Sequence, residues 1–331
     1  MKRRWTAIGL SLLAVAALAS CASRTGPGRI CFVSVRDGNS EIYLMNPDGS
    51  DQRNLTSDPG EDDMPAWSPD GRWIAFSSDR GGSQDIYVMD AEGGNLRALT
   101  NSPQDEYGAV WSPDGKRLAF ASQSESLLDL FLVNADGSGL FQLTDAPEAD
   151  LWPAWSPDGT RIVYTSGAQL YLIQADGSGR RPLTVGTDQD YDVFPSWSPD
   201  GTQILFRSMR DGNWEFYLVN ADGSGLKNIS QNDAEDIAPA WSADGSQILF
   251  SSDRAGNLDV FVMNAEGSGV TQLTTDAGDD GMPSWSPDGT RILFVSGRAG
   301  EPDIFIMNAD GSDQENLTDN GADDYGAAWH R

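Results

Sequence analysis

The sequence predicts an all-β fold: a seven-bladed β-propeller of four-stranded blades, its ring closed by the C-terminal strand joining the N-terminal blade. A Trp, usually inside W-S-P-D-G, recurs at Trp67, Trp111, Trp155, Trp197, Trp241, Trp285 and Trp329, at intervals of 44 residues with one of 42. A period of roughly 40 to 50 residues with several short strands per unit marks a propeller, because one four-stranded sheet cannot bury both faces alone. The ends of the chain agree with this: the first unit lacks its innermost strand, and the last supplies only that strand.

Within a unit, strands A to D run from the axis to the rim. In the second copy a short A strand ends at Trp67, and Ser68-Pro69-Asp70-Gly71 makes a tight turn with Pro at i+1. Ile74 to Ser78 is the B strand, and Asp79 to Gln84 is a polar loop. Asp85 to Asp90, rich in β-branched and aromatic residues, is the C strand. A turn at Ala91 to Gly94 leads to a D strand over Leu96 to Thr100. B strands start again at Ile30, Leu118, Ile162, Ile204, Ile248 and Ile292. Gly28-Arg29-Ile30 repeats the approach of Gly71-Arg72 to a B strand, while Ala327-Ala328-Trp329 is an A strand. The chain is therefore expected to start and finish inside one A–B turn, leaving no open sheet edge. Residues 29–331 read as one propeller domain.

Residues 1–20 read as a lipoprotein signal peptide. Lys2, Arg3 and Arg4 precede an apolar stretch, Ala7 to Ala19, too short to span a membrane comfortably. Leu18-Ala19-Ser20-Cys21 resembles the lipobox of bacterial lipoproteins, with Cys21 lipidated and residues 21–28 as a short linker. An ordinary secretory signal is the alternative, and both export the chain to the cell envelope, on the periplasmic side or the cell surface. Cys31 is then a lone Cys in a B strand, expected as a small buried hydrophobe, and no disulfide framework is possible. The N-x-S/T triplets at Asn54, Asn228 and Asn316 read as D-strand endings rather than glycosylation sites.

The chain has 22 basic and 50 acidic residues, a formal net charge of −28. Such a surface repels nucleic-acid backbones and offers no basic footprint. Anionic headgroups would not attract it either, so membrane contact is expected through the lipid anchor only.

Five residues before each landmark Trp stands an acid: Asp62, Glu106, Asp150, Asp192, Asp236, Asp280 or Asp324. Placed in the D–A loops, they are expected to ring the channel mouth. Five B–C loops, opening on the same face, carry an Arg two residues after the Ser closing strand B: Arg36, Arg80, Arg210, Arg254 and Arg298. The acids pair with these Arg, or cap their loops, or form a negative mouth for a basic partner. The loops after Ser122 and Ser166 lack the Arg, and nearby D–A loops carry Tyr107, Trp152, Tyr191 and Phe194. A sector where aromatics enter as the repeat breaks is the expected partner-binding site.

Catalytic constellations are absent from the sequence. The only His is His330, so no Ser-His-Asp or Cys-His set can be assembled in the core. No phosphate-binding glycine loop and no Cys/His metal cluster occurs. Asp188-Gln189-Asp190-Tyr191-Asp192 opens like a calcium loop, but Val193 and Pro199 stand where Gly and Glu are required. No cofactor and no metal is expected.

The unit W-S-P-D-G, then I-A-F-S-S, D-I-Y-V-M and a closing L-T, resembles the TolB-type propeller repeat over residues 29 to 329. The resemblance implies a cell-envelope binding or scaffolding role. The chain departs from TolB itself in reading as seven blades rather than six, with a lipid-anchor signal and no α/β domain ahead of the propeller. Related repeats form the gating propellers of prolyl oligopeptidase-like peptidases, which need a hydrolase domain. The expectation is a non-catalytic, monomeric envelope lipoprotein that binds a protein or peptide, basic and partly apolar, on its D–A/B–C loop face. The alternatives are a lyase- or lactonase-type propeller enzyme acting on a carbohydrate-like substrate at the channel mouth, and a purely structural envelope component.

Overall fold

The computed structural model describes residues 28–124 and 127–330. The expected signal peptide, Cys21 and all but the last residue of the linker lie outside the described residues. These residues form seven four-stranded antiparallel sheets and no helix. Blade 1 joins Ile30–Ser34, Glu41–Met45 and Arg53–Asn54 to the innermost strand Asp324–Trp329. The innermost strands of blades 2 to 7 are Asp62–Trp67, Glu106–Trp111, Asp150–Trp155, Val193–Trp197, Asp236–Trp241 and Asp280–Trp285. Ile30 pairs with Trp329 and Ser34 with Asp324, so the two ends of the chain share one sheet, as the sequence predicts.

The W-S-P-D-G turn follows from its chemistry. In blade 2 the Ser68 hydroxyl donates to Asp70 Oδ1 at 2.7 Å and accepts from the Trp73 amide at 3.0 Å. Asp70 Oδ1 also accepts from the Arg72 amide at 3.1 Å. Gly71 sits at φ 66°, where a Cβ would be strained. In four blades the Trp then ties neighbouring blades together. Trp67 Nε1 donates to the carbonyl of Ala328, Trp111 to Ala66, Trp155 to Val110 and Trp197 to Ala154, at 3.0–3.2 Å. An indole supplies apolar area and one donor, which suits a contact that is mostly dry.

Each blade carries one aromatic pair across its B and C strands. They are Phe32–Tyr43, Phe76–Tyr87, Phe120–Phe131, Tyr164–Tyr171, Phe206–Tyr217, Phe250–Phe261 and Phe294–Phe305, with ring centroids 5.5–6.2 Å apart. The B-strand members are fully buried and fill the space between blades. Cys31 is buried too, and burial pushes its thiol pKa up, so it packs as a hydrophobe.

The D strands are shorter than the sequence suggests. In blade 2 only Arg97–Ala98 is strand, against an expected run from Leu96 to Thr100. The reason is the closing Leu-Thr. The Leu99 amide donates to the Ile86 carbonyl, and the Ile86 amide donates to Thr100 Oγ1 at 2.8 Å, so a side chain replaces the ladder. A two-residue edge offers little template to another chain. Thr56 holds the corresponding place in blade 1, its Oγ1 accepting from the Ile42 amide at 3.0 Å.

Candidate functional site

The D–A and B–C loops open on one face of the ring, and the seven recurrent acids lie beneath it. Each sits at the start of an innermost strand or one residue before it, with 0–2% of its surface exposed. In five blades a guanidinium meets it. Arg80 Nη2 donates to Asp62 Oδ1 at 2.8 Å and Oδ2 at 2.7 Å, while its Nε donates to Ser78 Oγ at 2.8 Å. Its Cζ lies 5.5 Å from the Phe76 ring and 5.1 Å from the Tyr87 ring. Arg36–Asp324, Arg210–Asp192, Arg254–Asp236 and Arg298–Asp280 repeat the arrangement. Of the readings open for these acids, pairing with the Arg holds in five blades, where each carboxylate is buried against its own guanidinium rather than lining a negative mouth.

The two blades that break the Arg pattern resolve differently. In blade 4, Arg180 arrives from the opposite direction, just ahead of the D strand. Its Nε donates to the Tyr164 hydroxyl at 2.8 Å and its Nη2 to Ser166 Oγ at 3.0 Å, with Cζ 4.0 Å from the Tyr171 ring. The signal in the sequence was the replacement of Phe by Tyr164, which supplies an acceptor for this reach. Asp150 is still buried, with neither carboxylate oxygen hydrogen-bonded, and burial raises its pKa. In blade 3 no guanidinium reaches Glu106 among the described residues. Ser102 Oγ donates to its Oε1 at 3.0 Å, Oε2 has no hydrogen-bond partner, and burial raises its pKa.

Two residues after each acid the innermost strand bulges, and the residue there has a left-handed backbone. These are Met64, Gly108, Trp152, Phe194, Ala238, Met282 and Gly326, at φ 51–65°. Register shifts mark the same point in every blade. Left-handed backbone costs a non-Gly residue on the order of 1–2 kcal/mol, and a bulge re-aims a side chain. In blades 4 and 5 the re-aimed side chains meet: the rings of Trp152 and Phe194 are 4.2 Å apart at 50°. Both are half-buried, and Tyr191 beside them is 48% exposed at φ 46°. Tyr107 occupies a different strand position and is half-buried; burial and a hydrogen bond to Asp105 push its phenol pKa up.

The surface acids are the residues one place earlier: Glu61, Asp105, Glu235, Asp279 and Asp323, exposed or half-exposed. Several cap loops of the preceding blade, as when the Ser40 amide donates to Glu61 Oε2 at 2.9 Å and the Gln84 amide to Asp105 Oδ1 at 3.0 Å. Blades 4 and 5 carry Ala149 and Tyr191 there instead. The face is thus a rim of carboxylates with one aromatic sector, flanked by Asp105 and Glu235. Among the described residues no group of three or more His, Cys, Asp or Glu side chains is placed to hold a metal ion.

The family described as the TolB beta propeller domain matches residues 104–193, 184–270 and 235–331. The Tricorn protease N-terminal beta propeller domain matches residues 27–128. A Tol-Pal system protein TolB of Desulfosudis oleivorans is 42% identical over 48 residues, 14% of this chain and 11% of that protein, so the match spans a small part of the relative. TolB from Acinetobacter baumannii superposes with a TM-score of 0.64 at 20% identity, over 92% of this chain and 67% of that one. An oligogalacturonate lyase from Vibrio parahaemolyticus gives 0.72 at 18% identity over 88% and 89% of the two chains. A puromycin hydrolase gives 0.71 at 16% identity over 93% and 56%. At such identities the likeness to these solved structures is one of fold.

Proposed function

Since the chain belongs to the TolB beta propeller domain family, we propose that it is a non-catalytic cell-envelope lipoprotein whose propeller holds a protein or peptide partner on its D–A/B–C loop face. The observation that carries this reading is the pair Trp152–Phe194, two large rings in contact across neighbouring blades, each at a strained bulge. The bulge itself recurs in all seven blades and belongs to the fold; what sets blades 4 and 5 apart is that it aims two large rings at each other. Half-buried aromatics flanked by exposed carboxylates suit a partner segment that is apolar at its anchor and basic around it. Tyr191 and Tyr107 extend the contact on either side.

The partner assignment is tested once a partner has been captured from the organism's own envelope. Trp152→Ala with Phe194→Ala should weaken its binding by roughly tenfold or more, since a buried anchor is worth about 2 kcal/mol or more. If only changes on the opposite face weaken binding, as in the turn at Asp136-Gly137, the assignment is wrong. The anchor is tested separately: Cys21→Ser should move the protein from the membrane fraction to the soluble one.

A further inference from the structure

Each blade face carries a slot built from an acid on the A strand, a Ser at the end of B and the B–C aromatic pair. In six blades a guanidinium lies in it, from Arg36, Arg80, Arg210, Arg254 or Arg298 on the B–C side and from Arg180 on the D side. Blade 3 has the same aromatic wall, Phe120 and Phe131 stacked at 6.0 Å and 24°, and Ser122 holds the place of the closing Ser, although here the B strand runs on to Ser124 and the C strand starts at Leu127. Glu106 is 2% exposed, with Oε2 buried and without a hydrogen-bond partner. The neighbouring blade adds a second buried carboxylate, Asp85, whose Oδ1 accepts from the Ser102 amide at 3.0 Å. No cationic side chain meets these two acids among the described residues, and the two undescribed positions between 28 and 330 are Glu and Ser. The D-side position that Arg180 fills in blade 4 is Leu140, 56% exposed.

We propose that the blade 3 slot takes the guanidinium of an arginine side chain carried by the partner segment, in the place that the chain's own Arg hold elsewhere. Charge complementarity commits the occupant. Two buried carboxylates favour a cation, and a flat, weakly hydrated fork with several donors fits between ring faces and carboxylate better than an ammonium does. Glu106 replaces the Asp of the other six blades, adding a methylene of reach in the one blade that lacks its own Arg. The slot lies in blade 3, next to the aromatic sector of blades 4 and 5, so one segment can seat its apolar anchor on Trp152 and an Arg here. This proposal rests on the loop face being the partner-binding face.

The test uses the full chain and a small probe, N-acetyl-argininamide, with the citrulline and lysine counterparts as controls. The readout is the Glu106 carboxyl resonance in protein labelled with ¹³C-glutamate, identified by its loss in Glu106→Gln. Argininamide should shift it saturably, citrullinamide should not, and lysinamide should bind more weakly. Leu140→Arg, which places a guanidinium at the position Arg180 holds in blade 4, should fill the slot in cis and abolish the response. Calorimetry on Glu106→Gln, which keeps the shape and removes the charge, should show argininamide binding weakened by roughly tenfold or more. Equal responses to the three probes, or unchanged argininamide binding in either variant, would overturn the proposal. Unaltered partner binding by the Trp152→Ala, Phe194→Ala protein would instead sink the loop-face reading and leave the probe result standing.

Discussion

Replacing Arg254 by Met isolates what the buried ion pairs do. Asp236 has no exposed area; Arg254 Nη2 donates to its two oxygens at 2.8 and 3.0 Å. The same guanidinium donates through Nε to Ser252 Oγ at 2.9 Å and lies 5.0 Å from the Phe250 ring and 5.1 Å from the Phe261 ring. Met covers the ring faces but leaves the carboxylate without its cation. Breaking one side of a buried pair costs about 3–5 kcal/mol. Asn232 Nδ2 still donates to Asp236 Oδ2 at 2.8 Å, which places the expected loss near the lower end, about 3 kcal/mol. Adding Asp236→Asn removes the stranded charge, and the double variant should return to within about 1 kcal/mol of the parent. Urea unfolding of the four proteins closes the cycle, with a coupling expected of at least about 2 kcal/mol, larger by whatever Asp236→Asn costs alone. Glu106→Gln, where no Arg is left behind, should cost less than about 0.5 kcal/mol. A loss below about 1 kcal/mol for Arg254→Met, or a double variant no better than the single, would refute the account of the acids as partners of the Arg inside the blades.

Truncation after Thr318 removes the innermost strand of blade 1, the Trp329 packing and the acceptor of Trp67 Nε1 at Ala328. It should cost at least the ~3–5 kcal/mol of a Trp-sized group, and a melting temperature within a degree or two of the parent would contradict ring closure. Burial pushes the Asp150 pKa above its ordinary value, so the folded state holds that proton more tightly than the unfolded chain. Its contribution to stability is present at low pH and lost as pH rises through the folded pKa. Asp150→Asn should therefore raise the melting temperature at about pH 7, with the gain closing towards about pH 3; a gain constant with pH would refute this. Trp152→Gly relieves the left-handed strain while deleting the ring, so its melting temperature should stay close to the parent's; a large drop would make the ring structural.

Blade number and closure were legible because they are written as counted motifs with a fixed period, and the B–C aromatics repeat with it. The shortness of the D strands was not, since a Thr hydroxyl standing in for a ladder bond leaves the residue pattern of a strand unchanged. The pairing of the acids with the Arg was legible as one of three readings, and spacing alone did not choose among them. The exposed acids, one residue earlier, recur in five copies and were readable in principle. Arg180 escaped because it serves its blade from a different repeat position, through a contact made across strands rather than along the chain. The Trp152–Phe194 contact escaped for a related reason. Both residues were visible as departures, but their meeting depends on bulges that re-aim side chains towards the neighbouring blade.

The strand shared by the two ends of the chain also sets a timetable. Blades 2 to 7 are each built from consecutive residues and can order as they emerge during synthesis. Blade 1 cannot, because Ile30 must wait for Trp329. At about 5–20 residues per second, the first strand spends on the order of 15–60 s with one edge unoccupied while the rest of the chain is made. The protein is therefore born as an open arc that becomes a ring only in its last step. Anything that delays that step, from a stalled ribosome to a lost C-terminus, leaves a sticky edge at the opposite end of the molecule.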